Sequence, residues 1–223
     1  AVLHWVLRVL PPGGQLLLVG EKRLGVQSYE KYLAERLEGV AKLPIKDIGR
    51  LSLWTKNAQV EAPPLQLWSR QQVQAPWINL TLCALPGVFG GASLDAGTAQ
   101  LLEVLEPPAE GQVLDLACGN GVIGAWAKLR QPVLEVTLCD DNQNAVESAQ
   151  KTFEANNICY KAALCGDGIK ALPPYLRFQL ITLNPPFHQG QTVDYRPAER
   201  LMAQAKDVLV PGGQLWVVAN RFR

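Results

Sequence analysis

Residues 184–187 read Asn-Pro-Pro-Phe, and His188 follows directly. They come after the apolar Phe178, Leu180 and Ile181. Two successive prolines fix φ and withdraw two donors, so a strand must stop there. Such a stop is either a hard turn and nothing more, or a rigid mount that holds a polar group against a substrate. Three other places share the character of a strand end that carries polar groups. Val113–Gly124 reads VLDLACGNGVIG, a strand, a glycine-rich turn and the start of a helix. Gly119 and Gly121 let the backbone turn tightly and pass close to a ligand, and Asp115 precedes the turn, where a carboxylate can meet a ligand amine. Val136–Asp141 reads VTLCDD. Its acidic end lies about 20 residues beyond the glycine turn, the spacing at which a carboxylate accepts from ribose hydroxyls in nucleotide-binding sheets. Cys165–Gly168, CGDG, puts Asp167 at the tip of a turn, where it can accept from an adenine amino group.

Each place also has a plain structural reading, as a strand-to-helix turn, a helix cap or a turn residue. Asp140, nearer its strand, is read as the ribose ligand, which leaves Asp141 to cap the following helix. Taken together the four strand ends describe a pocket for a nucleoside with a charged tail. No G-x-x-x-x-G-K-[ST] pattern is present, so a triphosphate is not the natural ligand.

The elements that must position these residues alternate after Asp95. Helical spacing covers Ala96–Leu105, Val122–Leu129, Asn142–Asn156 and Ala198–Leu209. Apolar strands are expected at Gln112–Leu116, Val133–Cys139, Cys159–Leu164, Phe178–Leu183 and Gln214–Val218. Strands alternating with amphipathic helices imply a parallel sheet covered on both faces, with ligands at the carboxyl ends of the strands. Before Asp95 the pattern is thinner: a helix over Val26–Leu37 ended by Gly39, a short strand at Leu51–Trp54, and a Gln- and Pro-rich stretch over Ala62–Trp77 that reads as a connector with a weak strand inside.

Val9–Arg23, VLPPGGQLLLVGEKR, and Val208–Phe222, VLVPGGQLWVVANRF, are identical at eight of fifteen positions without a gap. Each copy is a helix end, a Pro-Gly-Gly turn and a strand, which suggests a duplication. On that reading the sequence starts inside one unit and stops inside another, as a fragment does. The expected organisation is a partial first unit over 1–60, a connector over 61–84, and a ligand-binding domain over 85–223 that lacks its last strands.

DLACGNG, the acidic end of the next strand and NPPF resemble class I methyltransferases that use S-adenosyl-L-methionine. LPGVFGGASLDAGTAQLL (Leu85–Leu102), VLDLACGNGVIG and NPPFHQG resemble more closely the bacterial rRNA guanine-N2 methyltransferases of the small-subunit enzyme C family, and its large-subunit relative, type G. The resemblance covers nearly the whole chain, weakly in residues 40–80. It implies an α/β, Rossmann-like class I methyltransferase fold, preceded by part of a duplicated, non-catalytic methyltransferase-like unit. It implies that Asn184, Pro185, Pro186 and Phe187 are catalytic: the Asn184 side-chain carbonyl and the Pro185 backbone carbonyl accept from an exocyclic amine, and Phe187 stacks on the base. His188 could take the proton that the methylated amine sheds, or else would pack or contact RNA. Asp115, Ala117, Cys118, Gly119 and Gly121 would line the methionine part of the cofactor, with Asp140 on the ribose, Asp167 on the adenine amine and Asn184 beside them. Phe89, Asp95, Gly97 and Thr98 would close the methionine side. Ala117 replaces the first glycine of the family's turn, which is tolerable where φ is negative. The same Asn-Pro-Pro motif also serves adenine-N6 and protein glutamine methylation, and a non-catalytic RNA-binding module could keep the shape alone.

The bulk properties agree. The 223 residues are 48% hydrophobic and 18% charged, ordinary globular values. No apolar run approaches the roughly 20 residues of a membrane helix, and the N-terminus lacks a signal-peptide pattern. Five cysteines without a C-x-x-C, and two histidines, argue against a zinc site and for reduced thiols in a cytoplasmic protein. Net charge is +1, split as +4 over residues 1–70 (ten basic, six acidic) and −3 over 71–223 (eleven basic, fourteen acidic). A basic front suits a polyanion, and ordinary solvated surface accounts for it as well. The expected partner is ribosomal RNA or an assembled ribosomal subunit, with no metal and no membrane, for a monomeric chain.

Overall fold

The computed structural model describes residues 2–21, 25–45, 49–61, 67–185, 188–189, 192–193 and 195–219. The chain divides into two compact units, Ala1–Leu67 and Trp68–Arg223.

The first unit runs α1 (Val2–Val9), β1 (Gln15–Glu21), α2 (Val26–Ala34), β2 (Glu38–Ile45) and β3 (Gly49–Thr55). Its strands lie in the order β1-β3-β2, with β3 antiparallel to both neighbours. Leu7, Leu33, Leu37 and Trp54 form the core. A helix end leaves carbonyls without partners. Here the buried Lys56 supplies them, its Nζ donating to Leu7 O at 2.6 Å and Leu10 O at 2.8 Å.

The second unit runs β4 (Ser69–Ala75), β5 (Ile78–Ala84), α3 (Ala96–Val104), β6 (Gln112–Leu116), α4 (Val122–Arg130), β7 (Glu135–Asp140), α5 (Gln143–Ala155), β8 (Ala162–Cys165), a 3-10 turn (Gly168–Ala171), β9 (Phe178–Leu183), the two-residue strands β10 (His188–Gln189) and β11 (Thr192–Val193), α6 (Arg196–Ala205) and β12 (Leu209–Val217). Five strands form a parallel sheet in the order β12-β9-β6-β7-β8. Side chains alternate across it, as the two-residue period of a strand requires. Val113, Leu180, Val136 and Leu138 pack with Trp126 of α4 and Phe153 of α5. Leu114, Leu116, Ile181 and Leu183 pack on the other face with Leu201 and Ala205 of α6. Strand order reverses between β6 and β9, which opens a crevice at their carboxyl ends.

The stretch read as a connector is different. β4 and β5 pair as an antiparallel hairpin inside the second unit, so the boundary falls at Leu67/Trp68 rather than after residue 84. The reason lies in α5. Thr81 N donates to Asn156 Oδ1 (2.9 Å), Cys83 N to Thr152 Oγ1 (3.1 Å) and Leu85 N to Ser148 Oγ (2.9 Å). Four helical residues rise about 6 Å, and two strand residues about 6.8 Å. A polar stripe on the helix therefore serves alternate donors along the free side of β5, and the strand does not end as an open edge.

The two Pro-Gly-Gly segments share a left-handed glycine, although the first is a turn before β1 and the second lies in the irregular first part of β12. Gly13 and Gly212, at equivalent positions of the repeat, both have φ of 78°. The glycines that follow are both crowded: a Cβ on Gly14 would stand 2.8 Å from Pro11 O, closer than a side chain is accommodated, and one on Gly213 would stand a tight 3.0 Å from Phe178 O.

Candidate active site

A cavity of about 240 Å³ opens at the carboxyl ends of β6, β7, β8 and β9, over the switch in strand order. Leu116–Asn120 come to it from β6, Cys139–Asn142 from β7, Gly166–Gly168 from β8 and Asn184 from β9. Phe89, Ser93, Asp95 and Thr98 form the wall opposite the strand ends, and Arg200 and Leu201 of α6 reach the rim.

The glycine turn is held by the next strand. Cys118 N donates to Cys139 O at 3.0 Å, and Gly119 N to Asp140 Oδ2 at 2.9 Å. Asp140 Oδ1 accepts from Asn142 N at 3.0 Å, so one carboxylate braces the turn and the end of its own strand. Burial raises the Asp140 pKa, and the Gly119 and Asn142 N–H groups oppose that rise. Neither Asp140 nor Asp141 caps α5. The cap is Asn142, whose Oδ1 accepts from Asn144 N at 3.0 Å, while Asp141 stands exposed at the cavity.

Gly119 has φ of 54°, and no atom lies within 4 Å of where a Cβ would stand. Gly121, with φ of 75°, meets the opposite condition, since its Cβ would lie 2.7 Å from Ala149 Cβ on α5. Gly119 faces open space, and Gly121 lets α4 approach α5. Ala117 lines the cavity with φ of 56°, so the negative φ expected for an alanine there is not what the turn adopts. The bonds from Cys118 and Gly119 to β7 hold it in the left-handed region at about 1–2 kcal/mol.

Asp115 is placed differently from the reading that put it against a ligand. It is 1% exposed and stands behind the turn, outside the cavity wall. Its Oδ2 accepts from Gly124 N (2.9 Å) and its Oδ1 from Thr182 Oγ1 (3.1 Å), the residue opposite it in register on β9. Burial pushes its carboxyl up to about 7, against those two bonds and with help from the charge of Asp140. It ties α4 and β9 to β6 and so shapes the site from beneath.

Asp167 reaches the cavity with its carboxylate bridged by two cations, Lys170 Nζ at 3.1 Å and Arg200 Nη2 at 2.7 Å. The Lys170 bond, then Arg200, lowers its pKa. Cys118 and Cys139 also line the cavity. Burial raises both thiols, Cys139 to about 12, so they are apolar wall rather than nucleophiles.

Asn184 is half-buried at the end of β9. Its Nδ2 donates to Thr98 Oγ1 at 2.9 Å and lies 3.4 Å from Asp95 Oδ2. Pro185 is buried. Pro186 and Phe187 lie outside the described residues, and His188 is described only as part of β10, paired with Val193. Gly97 is in the first turn of α3 but does not line the cavity, whereas Phe89 lines it and is 63% exposed. Sequence reasoning missed Asn120. Its Nδ2 donates to Gly91 O (2.9 Å) and Ser93 O (3.2 Å), pinning the loop that carries Phe89 to the glycine turn. Its place between the two glycines of GNG was the available signal.

Comparison with known proteins agrees with the geometry. The methyltransferase small domain family matches residues 79–223. The chain is 38% identical to ribosomal RNA small subunit methyltransferase C of Chromohalobacter salexigens, over 98% of this chain and 65% of that one. It is 39% identical to the protein of that name from Pasteurella multocida, over 99% and 66%. Among solved structures, a T. thermophilus 16S rRNA N2 methyltransferase in complex with AdoMet and guanosine superposes with a TM-score of 0.80 at 34% identity, over 99% of this chain and 60% of that one. The chain spans less than two thirds of the length of each of these relatives.

Proposed function

We propose that this chain, which belongs to the methyltransferase small domain family, carries the cofactor-binding and catalytic part of an enzyme that methylates the exocyclic N2 amine of a guanine in ribosomal RNA. Its second unit has the class I methyltransferase fold. The substrate assignment draws on the relatives that bear the small-subunit rRNA name and on the guanosine and AdoMet held by the T. thermophilus protein. The observation that carries the reading is the place of Asn184: a rigidly seated amide at the carboxyl end of β9, in one cavity with the glycine turn and Asp140.

The cavity fits S-adenosylmethionine. Open space over Gly119 takes a ligand where any side chain would intrude, and carboxylates stand at the ends of β7 and β8. Asp140 would hold the ribose and Asp167 the adenine amine, with Ala117, Cys118 and Gly119 along the methionine part. Bound there, the cofactor supplies an electrophilic methyl group. The protein's own task is to present the amine. A guanine amine is a poor nucleophile because its lone pair is delocalised into the ring. The Asn184 and Pro185 carbonyls accept its two N–H bonds and turn the lone pair out of the ring plane. Preplaced acceptors and orientation of this kind supply up to roughly 7–11 kcal/mol in well-aligned systems. No strong base is required, since the methylated amine sheds its extra proton readily. We place the enzyme in the cytoplasm as a monomer acting on ribosomal RNA or an assembled subunit. No helix among the described residues is long and apolar enough to cross a membrane.

Asn184→Ala is expected to keep cofactor affinity by calorimetry and to lose about 100-fold or more of its methyl-transfer rate on ribosomal RNA. Transfer at a near-normal rate sinks the role given to Asn184. Asp140→Ala is the control on the cofactor side: affinity indifferent to that change points to a non-catalytic RNA-binding module. Mass spectrometry of rRNA nucleosides from cells lacking the protein separates guanine-N2 from adenine-N6 or protein methylation.

A further inference from the structure

An amide has two ends of similar shape and opposite polarity. Asn184 can grip an amine only if its carbonyl faces the substrate, and reversed it would present two donors to a donor. Nothing in the Asn-Pro-Pro bend itself chooses between these orientations, because proline rigidity fixes the backbone and not the second side-chain torsion.

The choice is made by α3. Asp95 is the N-cap of that helix, its Oδ2 accepting from Thr98 N at 3.0 Å. The same oxygen lies 3.4 Å from Asn184 Nδ2 and 3.4 Å from Thr98 Oγ1. A carboxylate accepts and does not donate. Thr98, 3% exposed, spends its one hydroxyl proton toward Asp95, and its lone pairs then take the Asn184 donor at 2.9 Å. Both neighbours therefore call for the NH2 end of the amide. A reversed amide would set its carbonyl oxygen against a carboxylate oxygen, and Thr98 could bond it only by turning its hydroxyl proton away from Asp95.

We propose that Asp95 and Thr98 are positioning residues that fix the polarity of the Asn184 amide, so that its carbonyl is the end offered to the substrate amine. This rests on the reading of Asn184 given above, and it goes beyond a role in closing the methionine side of the pocket. It also explains why the first turn of α3, remote in sequence from the Asn-Pro-Pro bend, is built into the cavity wall. The cap bond fixes Asp95 to the helix, so the amide is oriented by a rigid element rather than by a loop.

The test uses the full-length protein and single-turnover methyl transfer to small-subunit RNA, beside calorimetric affinity for S-adenosylmethionine. Thr98→Val keeps the shape and removes the acceptor. It is expected to slow transfer by ~10–100-fold, the scale of a misaligned reacting group, with cofactor affinity within twofold, and Thr98→Ser restores the rate. If Thr98 acts through Asn184, then Thr98→Val changes nothing further once Asn184→Ala is present. The inference is overturned by a normal rate in Thr98→Val, by loss of cofactor affinity in step with rate, or by an equal slowing in both backgrounds. An Asn184→Ala protein that still transfers methyl groups at a near-normal rate overturns instead the reading beneath it, so the two failures are distinguishable.

Discussion

Asp115 shows what a residue's neighbours add to its type. Sequence order placed a carboxylate before a glycine turn, and that much suggests a ligand contact. The side chain points instead into the sheet face that α4 and α5 cover, because register pairs it with Thr182 and the chain returns Gly124 above it. None of this is legible from VLDLACGNG, since Thr182 lies 67 positions away. The places of Asp140, Cys118 and Gly119 at the strand ends that line the cavity were legible, because a strand end and a glycine turn are local features. The buried carboxyl carries a pH signature. Its pKa rises from 3.8 to about 7 on folding. Between those values the native state holds a proton that the unfolded chain has released, so this group's contribution to stability falls as pH rises from about 4 to about 7 and is level above. Asp115→Asn keeps an acceptor for Gly124 N–H and cannot ionise. The variant is expected to gain a few kcal/mol on the native protein between pH 5 and pH 8, read as the change in their difference in urea midpoint. A difference that does not change with pH contradicts the burial of an ionising carboxylate at this place.

Elements with strong periodicity and both ends marked were legible at full length. Gln112–Leu116 and Phe178–Leu183 form with the expected bounds, because buried parallel strands are apolar runs cut by glycine or proline. β2 and β5 escaped notice. EGVAKLPI breaks its apolar residues with a lysine and a proline, and INLTLCA follows a Gln-rich stretch that reads as linker. What makes β5 a strand is β4 on one side and three side chains of α5 and its C-cap on the other, contacts that only folding supplies. The turn before α4 offers a sharper check, because its two glycines do different things. Gly121→Ala drives a Cβ to 2.7 Å from Ala149 Cβ and 2.9 Å from its Cα, so α4 and α5 must separate. Overpacking of that kind costs about 1–3 kcal/mol, beyond the left-handed strain. Gly119→Ala meets no protein atom and bears the strain alone, about 1–2 kcal/mol. Thermal unfolding is expected to rank Gly121→Ala as the less stable. Calorimetry with S-adenosylmethionine is expected to rank Gly119→Ala as the weaker binder relative to its stability. The reverse ranking of binding would remove Gly119 from the cofactor site.

Each of the two units has a core of its own. Leu7, Leu33, Leu37 and Trp54 make that of the first, and the two clusters on the faces of the five-stranded sheet make that of the second. Among the described residues, the cavity proposed to hold the cofactor is lined by residues of the second unit, from Gly87 to Leu201. A ligand stabilises only the state that binds it, by about 2.7 kcal/mol at a free concentration of a hundred times Kd. Leu33 is fully buried, and Leu33→Ala opens a cavity in the first core that costs about 2–5 kcal/mol. The expected outcome is a split. The variant unfolds at lower denaturant when followed through Trp54, yet its affinity for S-adenosylmethionine stays within twofold of the parent at low denaturant. The cofactor is also expected to shift the transition followed through Trp126, buried in the second unit, and Asp140→Ala to abolish that shift. Should Leu33→Ala weaken cofactor binding by tenfold while the second unit remains folded, the site would depend on the first unit, and the assignment of cofactor binding to residues 68–223 alone would be wrong.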